Sequence, residues 1–524
     1  MANSNAGKDS GDRGPRAGLT RRTFFDWCGG FGLGLLPGGT AMTLVACGGS
    51  GDSASTPVSV PVSAAEVTVI EGPTTLGMSI QARQVQWVVG KSPAQANAWV
   101  YAADGVTAAD GVLGNVLGPF INVRRDAACT VTWRNTIGHS EIQPTRLASP
   151  PINVPLDLGT CGRVITQGPV GLSAHLHGAR VQPDSDGWPL TPVSFAGNPY
   201  GFSESHQMHY PNAQRGAMLW YHDHAMDRVG RHVHAGLAGA YCIRDAADDA
   251  LLALVGGRTQ EVLCVVQDRI LTADGMGIDY NAGIPHDPLL VRIPGSDDAF
   301  GRPEFLGSAI FVNGHPVAEQ MLARRAWRVR LLNLSNARTY ALALCDPDAI
   351  ATGTGRVWYT QCLRLIGADG GLASRSVPLQ DTDALVISTA QRRDVVVDLS
   401  SVPASVTRLH LVNVSLRYLL AVDSVTVEAI YTTFEDSVLA PTSVQFSAGD
   451  KTLYDALAGP LAIVGRWNLG TGAPLPGPSA AAIDSVLAGA ADEDDFVWDG
   501  TQLGPLPGAT VGPNRLVLLV SNTL

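Results

Sequence analysis

The sequence predicts an all-β chain of small β-barrels in tandem, two complete and a third truncated. Turn-forming residues and an internal repeat predict it. Glycine (58) and proline (33) are abundant in the 524 residues, which favours short strands joined by turns over long helices. A strand–turn–strand element then occurs three times. At this length one hydrophobic core is too few, so several domains are expected.

The first copy of the element runs from Asn115 through Phe120-Ile121-Asn122-Val123 to Val131-Thr132-Trp133-Arg134-Asn135. The second runs from Phe311-Val312-Asn313-Gly314 to Trp327-Arg328-Val329-Arg330-Leu331-Leu332-Asn333. The third runs from Phe496-Val497-Trp498-Asp499-Gly500 to Arg515-Leu516-Val517-Leu518-Leu519-Val520-Ser521-Asn522. The apolar/arginine alternation of Trp327–Leu331 reads as a strand with one buried and one solvated face. Two complete domains are expected at 66–245 and 258–432, and a partial third at 461–524, where the last strand has little chain after it to finish a barrel.

The N-terminus reads as an export signal. Arg21-Arg22 precede Phe24-Phe25 and a weakly apolar, glycine-rich stretch that ends in Leu44-Val45-Ala46-Cys47. This pattern is expected of a twin-arginine lipoprotein signal over 1–47, with Cys47 taking the lipid and 48–65 forming a flexible tether. The expected location is the bacterial cell envelope, outside the cytoplasm, with the membrane touched only through that lipid anchor. The formal charge is -11, and the lysines are Lys8, Lys91 and Lys451 alone, so no basic stripe is available for nucleic acid. Cys242 and Cys264 lie in strand-like runs and read as small buried hydrophobes. An oxidising compartment would permit a disulfide among Cys129, Cys161, Cys345 and Cys362.

The histidines carry the chemistry. His175-Leu176-His177 and His222-Asp223-His224 are two His-X-His pairs on strand-like segments. Residues i and i+2 of a strand share a face, so each pair aims two imidazoles into one space. Four neutral nitrogen donors suit copper or zinc. His232 and His234 form a third pair, while His139, His206, His286, His315 and His410 read as solvated or locally satisfied.

Around these pairs the motifs become specific. His175-Leu176-His177-Gly178, Asp184-Ser185-Asp186-Gly187-Trp188-Pro189, Tyr210-Pro211-Asn212, Trp220-Tyr221-His222-Asp223-His224-Ala225-Met226 and Ala235-Gly236-Leu237-Ala238-Gly239 resemble the bacterial multicopper oxidases, in the branch of spore-coat laccase and bilirubin oxidase. Gly367-Ala368-Asp369-Gly370-Gly371 and Arg393-Asp394-Val395-Val396-Val397-Asp398 extend the resemblance over roughly 95–435. It implies tandem cupredoxin-like Greek-key β-barrels. It also implies oxidation of phenolic, tetrapyrrole or metal-ion substrates coupled to reduction of dioxygen to water. In that family the trinuclear copper cluster draws its histidines half from the first domain and half from the last. By position, His175 would bind the type-2 copper, and His177, His222 and His224 the type-3 pair. The resemblance also implies that His232 and His234 do not ligate and that His209 is structural. Asp186 matches an acidic residue near the cluster and would relay protons; as a turn carboxylate in Asp-Ser-Asp-Gly it has an equally ordinary explanation.

The resemblance also implies donors that are missing here. The type-1 copper needs a thiolate flanked by histidines. No cysteine beyond Cys47 has a histidine beside it, and no histidine follows His410. The expectation is a trinuclear half-site, no type-1 site, and little activity from this chain alone. The remaining domain would come from a longer form or a partner chain, as in a split oxidase. The competing reading is a copper-free cupredoxin scaffold that binds envelope proteins.

Overall fold

The computed structural model describes residues 68–89, 92–104, 116–136, 172–189, 193, 203–225, 229–269, 271, 306–416, 443–491, 496–498 and 503–505. The export segment with Cys47, the tether, Cys161, His139, His286 and the strand expected at 515–522 lie outside them.

The first half contributes β1 (Val69–Glu71), β2 (Thr75–Val89), β3 (Ser92–Ala103), β4 (Phe120–Arg124), β5 (Cys129–Asn135), β6 (Ala174–His177), β7 (Ser205–Tyr210), β8 (Ala217–Asp223) and β9 (Ala238–Arg244). They form two sheets, ordered β1-β4-β9-β8-β6 and β3-β2-β5-β7. Alternate side chains from both, among them Met78, Tyr101, Val131, Leu219, Tyr221 and Ile243, fill one core between the sheets. Val131 and Trp133 are inside while Arg134 is exposed, as the alternation in β5 requires.

The second half contributes β10 (Glu261–Arg269), β11 (Ala309–Val312), β12 (His315–Pro316), β13 (Glu319–Leu322), β14 (Ala326–Asn333), β15 (Tyr340–Cys345), β16 (Leu363–Ala368), β17 (Gly371–Pro378), β18 (Asp383–Ile387), β19 (Arg392–Asp398), β20 (Arg408–Asn413), β21 (Ser443–Gln445) and β22 (Ile463–Leu469). Their sheets are ordered β12-β11-β10-β14-β19-β16-β17 and β13-β22-β20-β15-β18-β21, again with a shared core. The chain is thus mostly β, as expected. Strands β21 and β22, beyond residue 432, complete the second pair of sheets, and β22 falls within the segment expected to open a third domain. The third copy of the repeat supplies β23 (Phe496–Trp498), paired antiparallel with β24 (Leu503–Pro505).

Helices are few and short. α1 (Val229–Ala235) leads into β9, and α2 (Ala246–Val255) follows it. The side chain of Asp245 caps α2 by accepting from the amide of Asp248. Leu251 and Val255 of α2, with Ile483 and Leu487 of a later helix (Ala480–Ala491), cover Ala326, Ile366 and Val396 of the seven-stranded sheet.

One packing relation positions the site. Met218 and Trp220 of β8 and Ala238 and Ala240 of β9 point away from the first core, onto Val265 of β10 and Leu332 of β14. Strands β8 and β9 are therefore buried on both faces.

The same relation corrects the reading of Trp327–Leu331. The alternation is real, but neither face of β14 meets water: Arg328 and Arg330 are each 1% exposed. Three arginines (Arg244, Arg328, Arg330) meet three carboxylates (Asp248, Glu261, Asp394) in a closed network. Arg244 donates to Asp248 Oδ2 at 3.0 Å and to Glu261 Oε2 at 2.7 Å. Arg328 makes a two-pronged contact with Asp394, at 3.0 and 2.6 Å. Arg330 binds Asp248 and lies 2.9 Å from Glu261 Oε1. Sequence alternation separates polar from apolar faces; it does not say whether the polar face has water or ions for company.

Among the described residues, the disulfide that an oxidising compartment would permit is not formed. Cys129, Cys345 and Cys362, like Cys242 and Cys264, are free and buried. Each occupies an apolar niche, and burial pushes each thiol's pKa up, that of Cys129 and of Cys362 to about 11.

Candidate metal centre

The two His-X-His pairs converge. In the antiparallel register of β6 and β8, His175 lies opposite His222 and His177 opposite Trp220. Ring centroids are 5.4 Å apart for His175–His222, 5.8 Å for His175–His177, 5.7 Å for His177–His222, 5.1 Å for His175–His224 and 5.5 Å for His222–His224. One ligand atom each from His175, His177 and His222 lies within 4.8 Å of the others, the sole such group of three among the described residues. His224 completes a four-imidazole cluster at ring-contact distance. It follows β8, and its amide donates to the carbonyl of Ser173, so the two arms are tied together just beyond the ligands.

Local hydrogen bonds orient the donors. His175 Nδ1 donates to the carbonyl of Asp186 at 2.6 Å, and His222 Nδ1 to the carbonyl of Asp223 at 2.8 Å. A carbonyl only accepts, so each ring carries its proton on Nδ1 and turns a lone pair outward on Nε2. His222 is 4% exposed and its Nε2 is buried without a hydrogen-bond partner, as is Nδ1 of His224. Buried imidazole nitrogens without a partner are costly unless a cation or other ligand satisfies them. Burial holds His222 well below the usual imidazole pKa; burial, then the nearby Arg392, holds His177 at about 4. Both are neutral donors at neutral pH. This donor set fits copper, a metal for which imidazole is a suitable ligand.

Neighbours the sequence did not disclose complete the pocket. Trp220 stacks on His222 at 4.1 Å and on His177 at 4.9 Å, a slab that fixes both rings. Arg392 reaches across from β19 and donates to the carbonyls of Met218 and Asp369, each at 2.9 Å. In return Arg215, from the first half, donates to Gly370 at 2.7 Å. Only the folded arrangement brings these residues to the imidazoles. Asp186 sits at the rim, its side chain 52% exposed and Oδ1 3.4 Å from His175 Nδ1. Gly187 holds that rim close. Its φ is +82°, and a Cβ there would collide with the backbone of Ala174 and His175 in β6. Gly239 plays the same part for Tyr221, whose hydroxyl occupies the space a side chain would take.

The other histidines stay apart from the cluster. His232 and His234 are on α1, not on a strand, and both are buried. His206 and His209 are on β7, where His209 Nδ1 lies 3.3 Å from the Thr130 hydroxyl. His315 is not solvated: it is buried beside Cys264 in a small cavity, and burial lowers its pKa to about 4. His410 faces Cys345 across β20 and β15. Two cysteine–histidine pairs therefore exist that no sequence neighbourhood revealed. Neither suits a copper–thiolate site, because burial raises both thiols, Cys264 to about 12, and no further ligand joins either pair among the described residues.

Comparison with known proteins agrees with this geometry. Residues 150–248, which hold all four imidazoles, match the multicopper oxidase family model. The chain is 31% identical to the laccase of Bacillus subtilis (strain 168) over 292 residues, 56% of this chain and 50% of that protein. It is 30% identical to multicopper oxidase LPR1 homolog 1 of Oryza sativa subsp. japonica over 343 residues, 64% of this chain and 51% of that protein. Among solved structures, the McoA multicopper oxidase of Aquifex aeolicus aligns with 68% of this chain and 61% of its own, at 20% identity and a TM-score of 0.49. The chain spans about half the length of the curated relatives it matches. The chain is thus similar to multicopper oxidases over residues 150–248 and over about half the length of those relatives. Its matched relatives include laccases and the bilirubin oxidase of Albifimbria verrucaria, 29% identical over 264 residues, 50% of this chain and 39% of that protein.

Proposed function

We propose that this chain carries the first-domain half of a dioxygen-reducing trinuclear copper site, in an exported laccase-like oxidase of phenolic, tetrapyrrole or metal-ion substrates. The observation that carries the reading is the convergence of His175, His177 and His222, with His224 in ring contact and with buried, unpartnered nitrogens on His222 and His224. A copper-free scaffold has no use for such an arrangement, which costs desolvation and gains nothing. His175 is assigned to the type-2 copper, and His177, His222 and His224 to the type-3 pair. When bound, copper supplies the one-electron steps that deliver four electrons to dioxygen. The chain's own residues do the rest. Trp220 clamps His177 and His222, the carbonyls of Asp186 and Asp223 fix which ring nitrogen faces inward, and Arg392 locks β8 to the second half. Asp186, half-exposed at the rim, is placed to carry protons from solvent toward the site. The donors that would close the cluster, and a type-1 thiolate site, come from a further domain or a partner chain.

Copper loading of the purified 524-residue chain tests this. The expected result is weak, exchangeable Cu(II) with nitrogen ligation, no intense blue copper–thiolate absorption, and no laccase turnover. Absence of copper binding, or a blue and active chain, would sink the assignment. Export rests on Arg21-Arg22 and Cys47. The Cys47→Ala variant is expected to leave the membrane fraction, and its retention there would refute lipidation.

A further inference from the structure

Between the ligands His222 and His224 lies a carboxylate that is itself no ligand. Asp223 is 0% exposed. Its Oδ1 accepts from the amide of Ser173 at 2.8 Å. Its Oδ2 accepts from the amide of Ala225 at 3.1 Å and from His232 Nδ1 at 2.6 Å. Ser173 stands two residues before His175, at the start of one ligand arm. Ala225 ends the other arm. His232 belongs to α1, and its ring is held edge-on against Trp99 at 6.0 Å, a side chain of the first core. One carboxylate therefore joins both ligand arms and a helix anchored in the core.

The geometry points to Asp223 and His232 as a positioning pair that sets the separation of the two His-X-His arms for metal binding. This rests on the metal-site reading above. Packing alone does not account for the pair. Burying a carboxylate is expensive, and an apolar residue of similar size would fill the space at lower cost. A carboxylate adds directed acceptors, here used on three donors from three segments. The hydrogen-bond partners that orient metal ligands usually matter almost as much as the ligands. His232 is such a partner at one remove: it fixes the carboxylate that fixes the arms.

The test is Cu(II) titration of the full chain. Nitrogen couplings are read by electron paramagnetic resonance, and the melting temperature of the metal-free form is read in parallel. His232→Phe keeps a ring against Trp99 but removes the donor. It is expected to weaken Cu(II) binding about 10–100-fold and alter the nitrogen couplings, with a smaller effect on metal-free stability. His232→Gln, which restores a donor, is expected to recover most of the affinity. Asp223→Asn keeps the shape of the residue, should fold if His232→Phe does not, and is expected to weaken binding about tenfold. Wild-type affinity and spectrum in the His232→Phe or Asp223→Asn variant would overturn the inference, as would a His232→Gln variant no better than His232→Phe. The metal-site reading fails separately, if the unmodified chain binds no copper or if His175→Ala binds it as tightly as the unmodified chain.

Discussion

Replacing Asp248 by alanine is expected to destabilise the protein by about 3–5 kcal/mol, as for removal of one partner from a buried ion network. Asp248 meets Arg244, Arg328 and Arg330, and without it three buried guanidiniums share Glu261 and Asp394. The exposed pair Lys451–Asp455 serves as the internal control, since Asp455→Ala should cost only about 1 kcal/mol or less in its solvated setting. Denaturant unfolding of both variants measures the difference; equal losses would mean that the network adds nothing beyond surface pairing. The network also sets a pH dependence. The arginines hold the carboxyls of Asp248 and Glu261 below their ordinary values of 3.8 and 4.5, despite burial. A depressed folded-state pKa means that the unfolded chain takes up protons first. The stabilisation is therefore complete above about pH 5 and is lost as pH falls through and below 4. Asp248→Ala should flatten that acid limb.

The second large effect concerns chemistry. In a form of the enzyme with its remaining copper donors in place, His222→Ala is expected to abolish dioxygen reduction while leaving the blue type-1 absorption intact. His222 is the most buried of the cluster imidazoles, it lies opposite His175, and it is stacked on Trp220. On the proposed assignment its loss removes a donor and opens a void beside the indole, so the type-3 pair would lose both ligation and a wall. His177→Ala should behave alike, because the same indole carries it. Anaerobic reduction of the blue centre by substrate, followed by failure to reoxidise in air, is the signature. A His222→Ala enzyme that still turns over dioxygen would remove this residue from the site.

The convergence of the candidate ligands was legible in the sequence because a strand's two-residue period is local: His175 with His177, and His222 with His224, declare a shared face without any knowledge of the fold. The β architecture was legible for a similar reason, through a repeated strand–turn–strand element. What surrounds the imidazoles was not. Trp220 becomes a clamp only once the β6–β8 register sets it against His177. Arg392 lies 174 residues from the Met218 carbonyl it binds. His232 looked like half of another His-X-His pair, but a helix turns its ring toward Asp223 instead. Arg328 and Arg330 read as a solvated face because periodicity reports side-chain direction and says nothing of what lies there. Cys264 and His315, which line one cavity, and Cys345 opposite His410 on the neighbouring strand are juxtapositions that no linear motif could announce.

Strand β6 stands at the end of its sheet, four residues long, bonded along one side to β8. An end strand gives up its amide protons through small local openings, while β8 and β9, buried on both faces, exchange only when much more of the protein opens. The two ligand arms thus differ in mechanical character: one is a hinged jaw and the other a fixed anvil. On the metal-site reading, metal would enter by local opening of the β6 jaw, which lifts Ala174 and Leu176 from the edge of the first core and leaves the second core untouched. Once seated between the jaws it would slow exchange at Leu176 far more than at Tyr221.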